Sequence, residues 1–209
     1  MTDYKEIKVS REGRVATIEF NRPEHLNSFS AGLKRECTDA FNSLALDGSV
    51  GCIVLTGAGK HFCAGANIAE LKENIDNGTR ITPEAAHLTI EWVRAIRRCL
   101  KPVIAMVNGA AMGGGAAIAS ACDYRFMDPS GKFGMAFVNM GLSCDSGSMY
   151  SLSRVIGCSR AVELIMSGEI VKADRAEKLG WARLTECGKL REETYAFAHM
   201  LSKRPGLAL

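Results

Sequence analysis

The sequence predicts an α/β fold with a largely parallel sheet. Three observations carry that expectation: short apolar runs that read as buried strands, longer stretches with apolar residues at helical spacing, and alternation of the two along the chain. No internal repeat, low-complexity segment or linker interrupts the alternation, so residues 1-209 are expected to form a single domain. With 47% apolar and 23% charged residues, the composition suits a folded globular chain.

Each element has its own signal. Ile7 to Ser10 and Val15 to Phe20 flank Arg11-Glu12-Gly13-Arg14, which reads as a hairpin. Asn21-Arg22-Pro23 ends it, because proline cannot donate to a ladder. Ser30 is placed as an N-cap, and Leu33, Cys37, Ala40, Phe41 and Leu44 follow at helical spacing. Cys52 to Thr56 reads as a buried strand closed by Gly57-Ala58-Gly59, with a short helix from Asn67 to Glu73 beyond it. Asp76 to Thr82 is polar and contains glycine, the composition of a mobile surface loop. Pro83 opens a long amphipathic helix whose buried stripe is expected to be Ala86, Ile90, Val93, Ile96 and Leu100.

The second half continues the pattern. Pro102 to Val107 is a buried strand, and the turn from Asn108 leads into a helix from about Gly115 to Ala121. Tyr124 to Met127 is a further strand, and Phe133 and Phe137 flank a short extended piece. Met149 to Ile156, Ser159 to Met166 and Ala173 to Leu179 read as helices separated by Gly157 and Gly168. Arg183 to Thr185 is a short strand before a helix from Leu190 to Leu201. The last residues, Arg204 to Leu209, are apolar, as though more chain should follow.

Charge and cysteine usage narrow the function classes. The formal charge is +3, and the densest basic run, Arg94, Arg97, Arg98 and Lys101, has the spacing of a solvated helix face. Nucleic-acid binding asks for a more basic surface or aromatic stacking positions, whereas a small anionic ligand is compatible with this balance. None of the eight cysteines forms a CxxC pair, and several sit in apolar runs, where a thiol acts as a small hydrophobe. The polar N-terminus is neither a secretory signal nor a transit peptide, and no apolar run reaches membrane-spanning length. A soluble, cytoplasmic protein without membrane or nucleic-acid partners is expected. His25, His61, His87 and His199 are isolated, so no metal is expected, and His61 is taken as an exposed loop residue.

Three segments then stand out together. They are Asn21-Arg-Pro-Glu-His-Leu-Asn-Ser-Phe29, Leu55-Thr-Gly-Ala-Gly-Lys-His-Phe-Cys-Ala-Gly-Ala-Asn-Ile68, and Lys101-Pro-Val-Ile-Ala-Met-Val-Asn-Gly-Ala-Ala-Met-Gly-Gly-Gly115 followed by Cys122-Asp123. In this order and spacing the chain resembles the enoyl-CoA hydratase/isomerase (crotonase) family. Ser153-Arg-Val-Ile-Gly157 and Ala176-Glu-Lys-Leu-Gly180 extend the resemblance over nearly the whole chain. The resemblance implies a crotonase-like spiral of ββα units, assembled as a homotrimer or homohexamer. It also implies a C-terminal helical region that is absent from this chain.

The glycine-rich turn has a physical use in such a protein. Chemistry next to a thioester carbonyl builds negative charge on its oxygen, and two preorganised main-chain N–H groups stabilise that charge. Backbone donors approach a ligand closely only where side chains are small, as in Met112-Gly113-Gly114-Gly115, and the helix that follows adds its positive end. By the resemblance, the oxyanion hole is made by the amides of Ala66 and Gly114. Leu26, Ala64, Ala66 and Ile68 line the groove for the coenzyme A moiety, which arrives as part of an acyl-CoA substrate. No permanently bound cofactor is implied. Relatives often carry a cation where this chain has Ala69; the next one here is Lys72. Met112, Phe137 and Met140 are expected to line the acyl pocket, with plain core packing as the competing reading.

The acids decide the reaction. Hydratases of the family use two glutamates, and those positions are here Ala117 and Phe137, neither of which transfers a proton. Asp145 remains, at a position where several branches of the family carry an acid, among them double-bond isomerases and a dehalogenase. The histidine that the dehalogenase also uses corresponds to Ile90. A lone carboxylate in an apolar pocket suits a proton shuttle, because apolar surroundings make it a stronger base. The competing reading makes Asp145 a cap for the helix that starts near Ser148. An isomerase-type reaction is the leading expectation. The alternatives are hydrolysis, dehalogenation or C–C bond chemistry on an aromatic or alicyclic acyl-CoA, or a non-catalytic acyl-CoA-binding subunit.

Overall fold

A computed structural model describes residues 3–78 and 83–206. The expected hairpin is present as β1 (Ile7–Glu12) and β2 (Val15–Phe20), antiparallel with Ile7 opposite Phe20. From β2 onward the sheet is parallel: β2 pairs with β3 (Cys52–Gly57), β3 with β4 (Val103–Val107), β4 with β6 (Tyr124–Met127), and β6 with β9 (Arg183–Leu184). β3 and β4 are buried along their whole length, which is why they read as unbroken apolar runs rather than alternating ones. A second sheet joins β5 (Ala110–Met112), β7 (Lys132–Gly134) and β8 (Ile170–Lys172).

Strand alternation divides the core in two. Ile53, Leu55, Val103 and Ala105 face α1 (Ala31–Leu46), α3 (Pro83–Arg98) and α4 (Gly114–Ala121). Cys52, Val54, Ile104 and Met106 face α8 (Leu190–Ser202) through Leu190, Tyr195, Ala198 and Leu201. Ser30 caps α1 as expected, its Oγ accepting from the Leu33 N–H at 2.9 Å. α2 (Ile68–Asp76) precedes the expected loop, of which residues 79–82 lie outside the described part. α5 (Ser148–Ile156), α6 (Cys158–Ser167) and α7 (Ala173–Lys178) follow the expected order. Asp123 anchors the start of β4, accepting from the Val103 N–H at 2.9 Å.

Three expectations need correction. The buried stripe of α3 is Thr89, Trp92, Ala95 and Ile96, while Ile90 is 44% and Leu100 86% exposed. The large Trp92 ring sets the rotation of the helix by entering a stack of Phe62, Phe20 and Phe29, with ring centroids 5.1–5.6 Å apart. β5 and β8 are strands of three residues inside segments read as a turn and a helix separator, too short to show a period of two. All eight thiols are free, and among the described residues no helix is long and apolar enough to cross a membrane.

Trp92 is fully buried and its Nε1 has no hydrogen-bond partner among the described residues, so its contribution is packing. Trp92→Ala is expected to cost about 3–5 kcal/mol of stability, the range for deleting a large buried aromatic. Urea denaturation against the unsubstituted protein measures it.

Candidate functional site

The site begins where two parallel strands release their chains. After β3 the chain runs to Phe62 and Cys63; after β4 it runs directly into β5. There Cys63 forms a parallel bridge with Ala111. The Cys63 N–H donates to the Ala110 carbonyl at 3.1 Å, and the Met112 N–H donates to the Cys63 carbonyl at 2.9 Å. Three residues beyond this isolated bridge stand Ala66 on one chain and Gly114 on the other, and the two chains stay in close contact up to that point. The approach is so close that side chains are excluded. Gly65 has φ +78°, and a Cβ on it would lie 2.4 Å from the Met112 carbonyl oxygen and 2.9 Å from the Gly114 nitrogen. A Cβ on Gly115 would lie 2.2 Å from the Cys63 carbonyl oxygen.

The peptide planes set the direction of the two amides. A trans peptide points its C=O and N–H in opposite directions. The Gly113 carbonyl accepts from the Ala117 N–H at 3.0 Å as part of the first turn of α4, so the Gly114 N–H points out of the positive end of that helix. The Gly65 carbonyl accepts from the Phe29 N–H at 2.7 Å, which turns the Ala66 N–H away from Phe29. Neither the Ala66 nor the Gly114 N–H has an acceptor among the described residues.

Both residues line a groove of about 320 Å³. Ala64 and Ile68 share it, as do Met112, Phe137, Met140 and Asp145, so all but one of the site residues expected from the sequence come together. Leu26 is the exception. It is half exposed, at φ +53°, and it meets the others through its carbonyl, which accepts from the Ala64 N–H at 3.0 Å. Phe137 covers the glycine turn, with its ring 3.8 Å from where a Cβ on Gly113 would stand. Ala117 is fully buried within α4 and does not line the groove. A larger cleft, about 740 Å³, opens at the N-terminal ends of β4 and β6 and holds none of these residues.

Asp145 departs from expectation in its exposure, and the competing reading of it fails as well. It lies on the groove wall yet is exposed, so the enclosure expected for a lone acid in an apolar pocket is not found. Nor is it a helix cap. Gly147 occupies the cap of α5, without a side-chain hydrogen bond, and Asp145 contributes only its main-chain carbonyl to the Ser148 N–H at 2.9 Å. Its Oδ1 accepts from the Ser146 hydroxyl at 2.7 Å, and its other oxygen carries no hydrogen bond from a described residue.

Sequence reasoning missed the residues that hold these parts in place. Asn27 is fully buried at φ +54°; its Nδ2 donates to the Ala58 and His61 carbonyls at 2.9 and 2.8 Å, and its Oδ1 accepts from the Arg22 N–H at 3.0 Å. An asparagine after Leu26 was the available signal, since asparagine tolerates left-handed backbone. His61 is half-buried rather than exposed, and its carbonyl takes part in this network. Lys34 also lines the groove, with its Nζ 5.5 Å from the Phe29 ring centre. It stands four residues after the Ser30 cap, a spacing that returns a side chain to the same helix face. Burial pushes the Cys63 thiol up to about 12 and raises that of Cys144, so both thiols near the groove stay protonated at neutral pH.

The sequence model for enoyl-CoA hydratase/isomerase matches residues 10–206. A short-chain-enoyl-CoA hydratase of Clostridium acetobutylicum is 36% identical over 180 residues, covering 85% of this chain and 67% of that protein. A trans-2-decenoyl-[acyl-carrier-protein] isomerase of Streptococcus mutans is 34% identical over 179 residues, covering 85% and 68%. The crystal structure of an enoyl-CoA hydratase from Bacillus anthracis superposes with a TM-score of 0.89 at 28% identity, covering 98% of this chain and 79% of that one.

Two glycines with left-handed backbone separate strain from crowding. Gly13→Ala meets no atom within 4 Å and should cost about 1–2 kcal/mol from backbone strain alone. Gly65→Ala carries the same strain and drives a methyl into the Met112 carbonyl, so its loss of stability in urea denaturation is expected to exceed that of Gly13→Ala.

Proposed function

This chain belongs to the enoyl-CoA hydratase/isomerase family, and we propose that it moves a double bond in an acyl-CoA thioester, with Asp145 as the proton carrier. In this reading the carboxylate of Asp145 takes a proton from Cα of a β,γ-unsaturated thioester. The electron pair passes to the carbonyl oxygen, where the Ala66 and Gly114 N–H groups stabilise the enolate. The enolate then recovers a proton from Asp145 at Cγ, which leaves the double bond between Cα and Cβ. One proton moves, no water is added and nothing is oxidised.

The observation that carries the reading is the pair of amides without acceptors among the described residues, in a groove whose one acidic lining residue among those described is Asp145. Hydration would need a second proton-transferring side chain, and Ala117 and Phe137 supply none. Ala64, Ala66 and Ile68 leave a low wall along which the pantetheine of coenzyme A would lie, with Lys34 near enough to meet an anionic group. Phe137 and Met140 make an apolar end for the acyl chain and would also take an aromatic or alicyclic group, the setting of the alternative chemistries. We further propose assembly as a homotrimer or homohexamer, supported by Val162, Met166 and Ile170, which α6 and β8 leave 48–72% exposed. Exposed free thiols at Cys158 and Cys187 fit a reducing, cytoplasmic setting.

With a β,γ-enoyl-CoA as substrate, Asp145→Asn is expected to lower kcat by about 100-fold or more. Equal turnover by the two proteins would end the isomerase reading. Turnover confined to aromatic or alicyclic thioesters would favour the alternative, and tight binding without turnover or α-proton exchange would favour a binding subunit. Light scattering is expected to give three or six times the chain mass.

A further inference from the structure

We infer that Phe29 is a positioning residue that sets both enolate-binding amides at once, the first through its main chain and the second through its ring. The inference rests on the enolate reading above, and it adds a residue that lies outside the glycine turn and carries no polar side-chain atom.

The first contact is a hydrogen bond. The Phe29 N–H donates to the Gly65 carbonyl at 2.7 Å. That carbonyl and the Ala66 N–H belong to one planar peptide, so holding the oxygen fixes the direction of the N–H at the other end. Glycine at φ +78° leaves this peptide unusually free to rotate, and no other hydrogen bond to the Gly65 carbonyl is present among the described residues. The second contact is steric. A Cβ on Gly114 would lie 2.4 Å from Phe29 Cε2 and 2.8 Å from Cζ, which places the edge of the ring directly against the Gly114 Cα. The Gly113–Gly114 peptide is thereby closed off on the side of the ring, while the Gly113 carbonyl is tied to the Ala117 N–H on the helix side.

Phe29 is itself immobilised. It is only 8% exposed, it packs edge-on against Trp92 with centroids 5.1 Å apart, and it immediately precedes the Ser30 cap of α1. Its position is therefore set by two helices, neither of which contains Ala66 or Gly114. A smaller side chain would keep the main-chain bond and release the Gly114 side of the pair. Oxyanion donors act through their alignment, and a displacement of about 1 Å is enough to cost on the order of 100-fold in rate.

The test reads carbonyl polarisation rather than stability. The isotope-edited infrared stretch of the thioester carbonyl is measured for butyryl-CoA bound to the intact protein, alongside kcat and KM for a β,γ-enoyl-CoA. The unsubstituted protein is expected to lower the stretch relative to free butyryl-CoA. The series Phe29→Leu, Phe29→Val and Phe29→Ala is expected to lose that shift progressively. The kcat should fall about 3-fold for leucine and about 10-fold or more for the smaller residues, while KM stays within about 3-fold. Phe20→Leu thins the same aromatic stack two rings away and should keep the whole shift. Leucine, the mildest change, keeps the series decisive where the smaller residues do not fold. A full shift with unchanged kcat in every folded Phe29 variant overturns the inference and leaves the enolate reading standing. No shift in the unsubstituted protein overturns the enolate reading itself.

Discussion

The pairing of Cys63 with Ala111 is the joint on which the rest of the site depends. It consists of two main-chain hydrogen bonds, 2.9 and 3.1 Å long, between segments almost fifty positions apart in sequence. Each segment is the continuation of a buried parallel strand, so the joint inherits its rigidity from the sheet beneath it. Beyond this isolated bridge the two chains stay close, and glycine lets them approach without side chains between them. A single hydrogen-bonded step thus converts a fold-level property, the direction of β3 and β4, into the placement of two amides.

Around that joint the molecule is built to prevent rotation. α4 is buried at every one of its positions and consists almost wholly of glycine, alanine and isoleucine, so that it fits between the joint and α5. Ser120, its one hydroxyl, bonds back to the Ala116 carbonyl and accepts from Trp181 Nε1 at 3.0 Å. On the other side, Asn27 ties the loop after β2 to the loop after β3, a task that a mobile polar side chain could perform only when fully enclosed. The stack of Phe62, Phe20, Trp92 and Phe29 links the start of the joint to the helices around it.

Much of this was legible in the sequence, and the failures have common causes. The hairpin, the Ser30 cap and the buried runs of β3 and β4 depend on neighbours a few residues away, so local pattern reveals them. The stripe of α3 was misplaced because Ile90 and Leu100 satisfy helical spacing as well as Trp92 does, and the choice between faces is made by Phe20 and Phe29, which are distant in sequence. β5 and β8 exist only because each finds β7, and three residues carry no periodicity of their own. The groove residues came from motif positions, and the glycine conformations agree with the physical reason those motifs need glycine. The enclosure of Asp145 was not legible at all, since burial at a loop is decided by what packs over it.

That open carboxylate has a consequence for isotopic labels. An acid in contact with bulk water exchanges its proton with solvent far faster than typical turnover. Under the proposed reaction, a hydrogen lifted from one carbon would seldom be the hydrogen set down on the other. Product formed in heavy water would carry deuterium at the distal carbon, and a label placed on the substrate would be washed out. Stereochemistry would still be preserved, because the groove decides which face of the chain the acid can reach, whichever isotope it holds at the time.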